Sequence, residues 1–243
     1  MKRLLLGVGL LAPAVALAAE TSLSRMSYAG SPLAMMGLLA VMSLLPFAVL
    51  MLTSFSKIAV VLSLARSAMG TQQAPPTLVL TGLAAVLTGH IMSPVMERMY
   101  DAGQVAYAEL ESGSGARILS AASRVAEPLR TFLVKHGSPE ERARFVDLAR
   151  ELRPPEEAEA VQETDLFVVI PAFVITELKE AFQIGFLVFL PFLVLDMVIA
   201  NVLLALGMQT LSPSQVSLPF KLLLFVAVDG WALLARGLIL GYR

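Results

Sequence analysis

From Asp165 to Arg236 three long apolar runs carry isolated charges at Glu177, Lys179, Glu180, Asp196, Lys221 and Asp229. A helix surrounded by lipid does not tolerate that pattern, because a charge at bilayer depth costs at least about 2.5–3.5 kcal/mol on insertion scales. At about 1.5 Å per residue the first run, Leu166–Leu206, is also too long for one ordinary crossing, which takes about 20 residues. It must bend, tilt or leave the bilayer, and Pro171 and Pro191 are the predicted bend points. The six charges need partners, water or other helices, so the segment reads as an assembly surface.

Hydrophobic residues make up 57% of the 243, with a mean hydropathy of +0.76. A soluble domain holds about 45–50%, so this is a membrane protein. Its near-neutral balance of 18 basic and 19 acidic residues conceals a segregation. Residues Glu97–Asp165 hold 9 basic and 14 acidic side chains, whereas the rest of the chain holds 9 and 5. A polar block of net charge −5 therefore separates two apolar halves. No basic run interleaved with aromatics is present, which argues against a nucleic-acid partner. With no cysteine, disulfides, thiolate metal sites and cysteine nucleophiles are excluded.

Lys2 and Arg3, the apolar stretch from Leu4 to about Ala16, and Ala16-Leu17-Ala18-Ala19 form a secretory signal pattern. The other reading of this stretch is an uncleaved anchor. Cleavage would leave the mature N-terminus outside the cytoplasm. Leu33–Leu52 is uncharged and long enough to cross, with Pro46 as a predicted kink, and the helix is expected to continue into an amphipathic stretch carrying Lys57 and Arg66. Gly70 and Pro75-Pro76 then close a turn, and Thr77–Val95 returns to complete a first hairpin. His90 in that return helix has no second histidine nearby, so a packed or pore-facing polar role is favoured over a metal or proton relay.

Within the polar block, helical patterns are interrupted at Gly113–Gly115 and Gly137-Ser138-Pro139, and Ser138 with Glu141 has the form of a capping box. The last third reads as Leu166–Leu206, the turn Gly207–Pro213 and a final helix from about Leu218 to Leu240. The chain is thus expected to be all-α, divided into a signal peptide (1–19), an N-terminal hairpin (20–96), a polar helical domain (97–165) and a C-terminal hairpin (166–243). The hairpin topology returns the polar domain to the side of the mature N-terminus. Lys57 and Arg66 border the opposite side, in agreement with the positive-inside rule.

Glu177 and Glu180 lie one helical turn apart and have the spacing of a paired-carboxylate site. Lys179 stands between them, and no Ser–His pair or phosphate-binding loop accompanies them. No catalytic residue, metal site or cofactor is therefore assigned. Two readings remain: a small-ion or solute transporter using intramembrane carboxylates, or pairing of Glu177, Asp196, Lys221 and Arg236 between helices or subunits. The near balance of signs favours the second.

Several uncommon strings then occur in a fixed order: GTQQ-PP within residues 70–76, ELKEAFQIGF at 177–186, LPFLVLD at 190–196 and SLPFKLLLF at 217–225. Together they resemble the FliP/SctR family of inner-membrane export-gate subunits of flagellar and type III secretion systems, over about three quarters of the mature chain. The resemblance implies a hairpin protein that assembles as five copies of itself with SctS-like and SctT-like subunits. In the family that assembly surrounds the conduit for unfolded secreted proteins, in contact with membrane lipid, in the bacterial inner membrane. It also implies no enzymatic activity, and in an inner-membrane protein the hairpin topology puts the polar block, which the resemblance does not cover, on the periplasmic side. The charges Lys57, Arg66, Glu177, Lys179, Glu180, Asp196, Lys221, Asp229 and Arg236 are then expected between helices or subunits, or facing the pore. In the family the turn between the last long helices forms a methionine gasket. Here that turn is Gly207, Met208, Gln209, Thr210 and Leu211, with Gln209-Thr210 where more methionine is typical.

The mature protein is predicted to lack Met1 to about Ala19. Intact mass of the membrane-extracted protein checks this, and a retained Met1 overturns both the cleavage and the outside placement of the terminus.

Overall fold

A computed structural model describes residues 32–71, 74–110 and 116–243. The signal segment and the Gly113–Gly115 break lie outside the described residues. Every regular element described is a helix. The chain divides into two compact units, Met1–Val49 and Leu50–Arg243. Nearly all of α1 (Pro32–Met51) belongs to the first; it is a charge-free helix that runs through Pro46. It stops at Met51 rather than flowing into the amphipathic stretch, which is a separate helix, α2 (Phe55–Ala68).

The second unit is a helical bundle. From α2 the chain turns at Gly70 (φ 76°) into α3 (Thr77–Leu110). That helix overruns the predicted end at Val95 and carries the chain through Pro94 well into the polar block. Next come α4 (Ala116–His136), α5 (Pro139–Glu151) and the one-turn α6 (Pro155–Ala158). The long α7 (Leu166–Ala205) has 40 residues, about 60 Å at the helical rise, or twice the hydrocarbon thickness of a bilayer. Pro171 and Pro191 both lie inside it and neither ends it. The predicted final helix is two, α8 (Pro213–Ala227) and α9 (Gly230–Leu240), meeting at 58°. Asp229 makes the break by adopting a left-handed backbone (φ 51°, ψ 50°), a conformation that Asp tolerates better than most residues. By length and composition two helices, over Thr77–Tyr107 and Leu166–Ala205, suit a membrane crossing, and the bent α8–α9 pair qualifies as a further one.

Small side chains set the packing. Ile58, Val61, Leu62, Ala65 and Ala68 of α2 are buried against Leu80 and Ala84 of α3, Ala181 of α7, and Phe225, Leu234 and Leu238 of the last pair. Gly185 lets α7 approach α2 so closely that an added Cβ would stand 2.2 Å from Leu64 Cδ1 and 3.0 Å from Leu64 Cβ. Lys57 meets Glu177 and Glu180, and Leu64 meets Gly185, so α2 and α7 run parallel. A second cluster joins the polar block to this bundle: Phe132 and Leu133 of α4 pack with Met92 and Val95 of α3, Val169 and Phe173 of α7, and Tyr242.

At the α4–α5 junction the predicted capping box is absent. Pro139 does occupy the first helical position, but Ser138 makes no side-chain cap. Its backbone N–H donates instead to Thr176 Oγ1 of α7 at 3.0 Å, and Glu141 turns toward Arg144 (3.3 Å) and Lys179 (3.8 Å). Arg142 Nη1 donates to the carbonyls of Val134 (2.7 Å) and Gly137 (2.6 Å), satisfying the end of α4 that a cap would otherwise serve.

Gly185→Ala is expected to destabilise the bundle by about 1–3 kcal/mol through overpacking. Pairing it with Leu64→Ala should recover much of that loss, as read in a double-mutant cycle of thermal unfolding.

Candidate functional site

One buried cation ties the bundle together. Lys57 Nζ lies 2.8 Å from Glu177 Oε1 and 2.6 Å from Glu180 Oε2, and sits 4.3 Å from the centre of the Tyr242 ring. Its own side chain is 5% exposed and that of Glu177 is fully buried, whereas Glu180 is 46% exposed. The one-turn spacing of Glu177 and Glu180 thus lets both reach the same ammonium, with Lys179 rotated off that face toward Glu141. Tyr242 donates its hydroxyl hydrogen to Glu177 Oε2, so both oxygens of the buried carboxylate are engaged. A cation entering between these acids would have to displace Lys57, and the transporter reading gains no support from the geometry. A group of three or more metal-ligating side chains is absent among the described residues, and His90 is exposed on α3.

Asp196 forms the second cluster, 19 residues further along α7. Lys221 Nζ of α8 donates to its Oδ2 at 2.6 Å and Ser217 Oγ to its Oδ1 at 2.5 Å. Lys221 is buried while Asp196 keeps 30% exposure. A Cβ on Gly70 would stand 3.5 Å from Leu218 Cδ1 and 3.9 Å from Lys221 Nζ, so the turn after α2 abuts this cluster. Arg66 braces the same turn, its Nη1 donating to Thr77 Oγ1 at 2.9 Å. Asp229 and Arg236 are exposed on the last pair and enter neither cluster; Asp229 serves the chain break instead.

Beyond Asp196 the hairpin projects past the first turn. Of residues 197–216 only Leu203 is buried. Gly207 (φ 73°) ends α7 with two reverse hydrogen bonds, Gly207 N–H to Leu204 O at 3.0 Å and Met208 N–H to Leu203 O at 2.9 Å, the pattern that a left-handed residue after a helix permits. Pro213 then starts α8. Met208, Gln209, Thr210 and Leu211 stand exposed at the tip.

Two members of the Lys57 cluster escape a reading of charge alone. Tyr242 continues the buried stripe Leu234, Leu238 at four-residue spacing, a signal that periodicity carries. His136 lies against the Tyr242 ring (5.0 Å between centres) and the Phe132 ring (4.7 Å). Burial pushes its imidazole down to about 4; Lys135 and Lys57 press in the same direction and Glu180 opposes them.

Lys57→Met leaves Glu177 buried without its counter-ion, and is expected to cost about 3–5 kcal/mol. The double change Lys57→Met with Glu177→Leu should be far milder than the single one. Lys221→Met should cost less, because Asp196 retains solvent and Ser217. Unfolding in detergent, followed by the single Trp231, ranks the three.

Comparison with known proteins agrees with this architecture. A family model described as the FliP family matches residues 38–238. The hypersensitivity response secretion protein HrcR of Ralstonia nicotianae is 46% identical over 205 residues, covering 83% of this chain and 93% of its own. Yop proteins translocation protein R of Yersinia pestis is 44% identical over 207 residues, 84% and 93% of the two chains. The flagellar biosynthetic protein FliP of Pectobacterium carotovorum is 47% identical over 203 residues, 83% and 75%. With a family match across most of its length and relatives at this level of identity, the chain belongs to the FliP family.

Proposed function

We propose that this chain is a core subunit of a type III secretion or flagellar export gate, and that it forms the conduit for unfolded proteins with four further copies of itself and SctS-like and SctT-like subunits. Membership of a family whose members are named for secretion and flagellar biosynthesis supports the role. The gate has no enzymatic activity of its own, and energy reaches it from elsewhere in the apparatus. It sits in the bacterial inner membrane, with the polar block on the periplasmic side.

The observation that carries this reading is the division between a charged interior and an apolar exterior. Lys57 and Lys221 neutralise acids of their own chain. Meanwhile Phe182, Phe186, Leu193, Val194 and Met197 of α7 remain exposed. Apolar surface on that scale needs lipid or protein against it. Neighbouring subunits supply that cover on part of the helix, and lipid on the rest.

At the tip, Met208 and Leu211 from several copies close the conduit. Methionine is flexible and polarisable, so a ring of such side chains seals when empty and deforms around varied chains. Gln209 and Thr210 add polar edges that hold water, which makes this seal leakier than an all-methionine one.

Detergent extraction from cells that express the partner subunits should yield a large hetero-oligomer; a monomer or small homo-oligomer with cation-dependent stability would favour transport instead. Removing Met208–Leu211, or replacing Met208 by glycine, should leave the complex assembled while admitting small ions or dyes across the membrane. Unchanged permeability in a fully assembled deletion variant would remove the seal from this account.

A further inference from the structure

We propose that His136 and Tyr242 form an acid-released latch, in which protonation of the His136 ring frees the end of α9 from the Lys57–Glu177 centre. The inference rests on contacts within one chain and does not depend on the export-gate reading.

The latch is the short segment beyond α9. Tyr242 is buried, its hydroxyl bonded to Glu177 and its ring capping Lys57. The same ring stacks on Phe132 (6.0 Å, 13° between planes) and meets His136 (5.0 Å), which itself lies 4.7 Å from Phe132, so the three rings form one triangle. Lys135 Nζ adds a bond to the Arg243 carbonyl at 2.8 Å. So the terminal turn docks on α2, α4 and α7 together, and α4 supplies three of its contacts from residues 132–136.

The charges around the imidazole decide what a proton there would do. On its own helix stands Lys135 and from α2 comes Lys57, both opposing a positive charge on the ring, whereas Arg142 of α5 is occupied by the carbonyls of Val134 and Gly137 and Arg243 on the docked segment is exposed. Opposing them is Glu180 of α7, half-exposed and already engaged by Lys57; Glu177 of α7 is held by Lys57 and Tyr242, Glu141 of α5 faces Arg144 and Lys179, and the main-chain oxygen of Arg243 is taken by Lys135. An imidazolium would thus be desolvated in a half-buried aromatic box beside two ammonium groups, Lys135 and Lys57, with Glu180 alone opposing them. Release of Tyr242 opens the box and hydrates the ring.

The docked state holds the neutral ring, with its pKa near 4, whereas a released ring returns to the ordinary value of 6.5. The lowered value means that latching is fully present above the released pKa and weakens as pH falls from there toward 4. Proton linkage between these two values raises the released-to-latched ratio about twentyfold from pH 7 to pH 5.

The absence of cysteine from the chain provides a clean test in the full-length protein in detergent or nanodiscs. Leu238→Cys places a single thiol in a buried position at the latched end, and exposed Leu240→Cys on the same helix corrects for the reagent's own pH dependence. The ratio of the two labelling rates should rise about twentyfold between pH 7 and pH 5. His136→Phe, which keeps a ring in the box, should remove the rise, and His136→Gln serves if the phenylalanine variant does not fold. Tyr242→Phe, which keeps the stacking and loses the bond to Glu177, should raise labelling at pH 7 while retaining the pH slope. Should Leu238→Cys unfold the end of α9, Leu234→Cys reports in its place. A ratio independent of pH, or the same rise in both His136 variants, overturns the latch.

Discussion

The ammonium of Lys57 is the interaction on which the rest of the bundle depends. Burial makes an unpaired charge costly, so α2 is stable in this place only if acids reach it from another element. Glu177 and Glu180 do so because they are one turn apart on α7 and because α2 and α7 lie side by side. That closeness in turn requires Gly185, where any side chain would run into Leu64. Charge pairing and steric fit therefore select one parallel register between the two helices. Such a cluster adds little net stability over an apolar core of the same shape; its effect is to make other registers expensive.

Much of this arrangement can be read from residue order. The apolar runs, the two turns with their glycines, and the helical class all follow from periodicity and from Gly and Pro placement, because these are local properties. Gly207 illustrates the point, since an αL helix end followed by a proline start needs only four or five residues to be specified. Pairing is another matter. Lys57 looks in sequence like a flanking charge of the positive-inside kind, and only the fold turns it inward against acids from the last third of the chain. Asp196 and Lys221, in contrast, meet across a single hairpin turn.

Where local rules mislead, a tertiary contact has replaced the local one. Ser138 gives up its cap because Thr176 receives its N–H and Arg142 covers the end of α4. The break at Asp229 goes unseen because the signal is an Asp-Gly pair inside an otherwise continuous apolar stretch. Gly230 is required there, as a Cβ would stand 2.3 Å from the Phe225 ring.

The parallel packing of α2 and α7 also constrains how the protein is made. Glu177 follows Lys57 by 120 positions, which at about 5–20 residues per second take roughly 6–24 s to synthesise. For that interval α2 carries an unmatched cation and cannot settle into apolar surroundings. It must wait in water, at an interface or beside a chaperoning helix until α7 arrives. The pairing that fixes α2 against α7 therefore forms only after α7 has been made, although α2 is translated first.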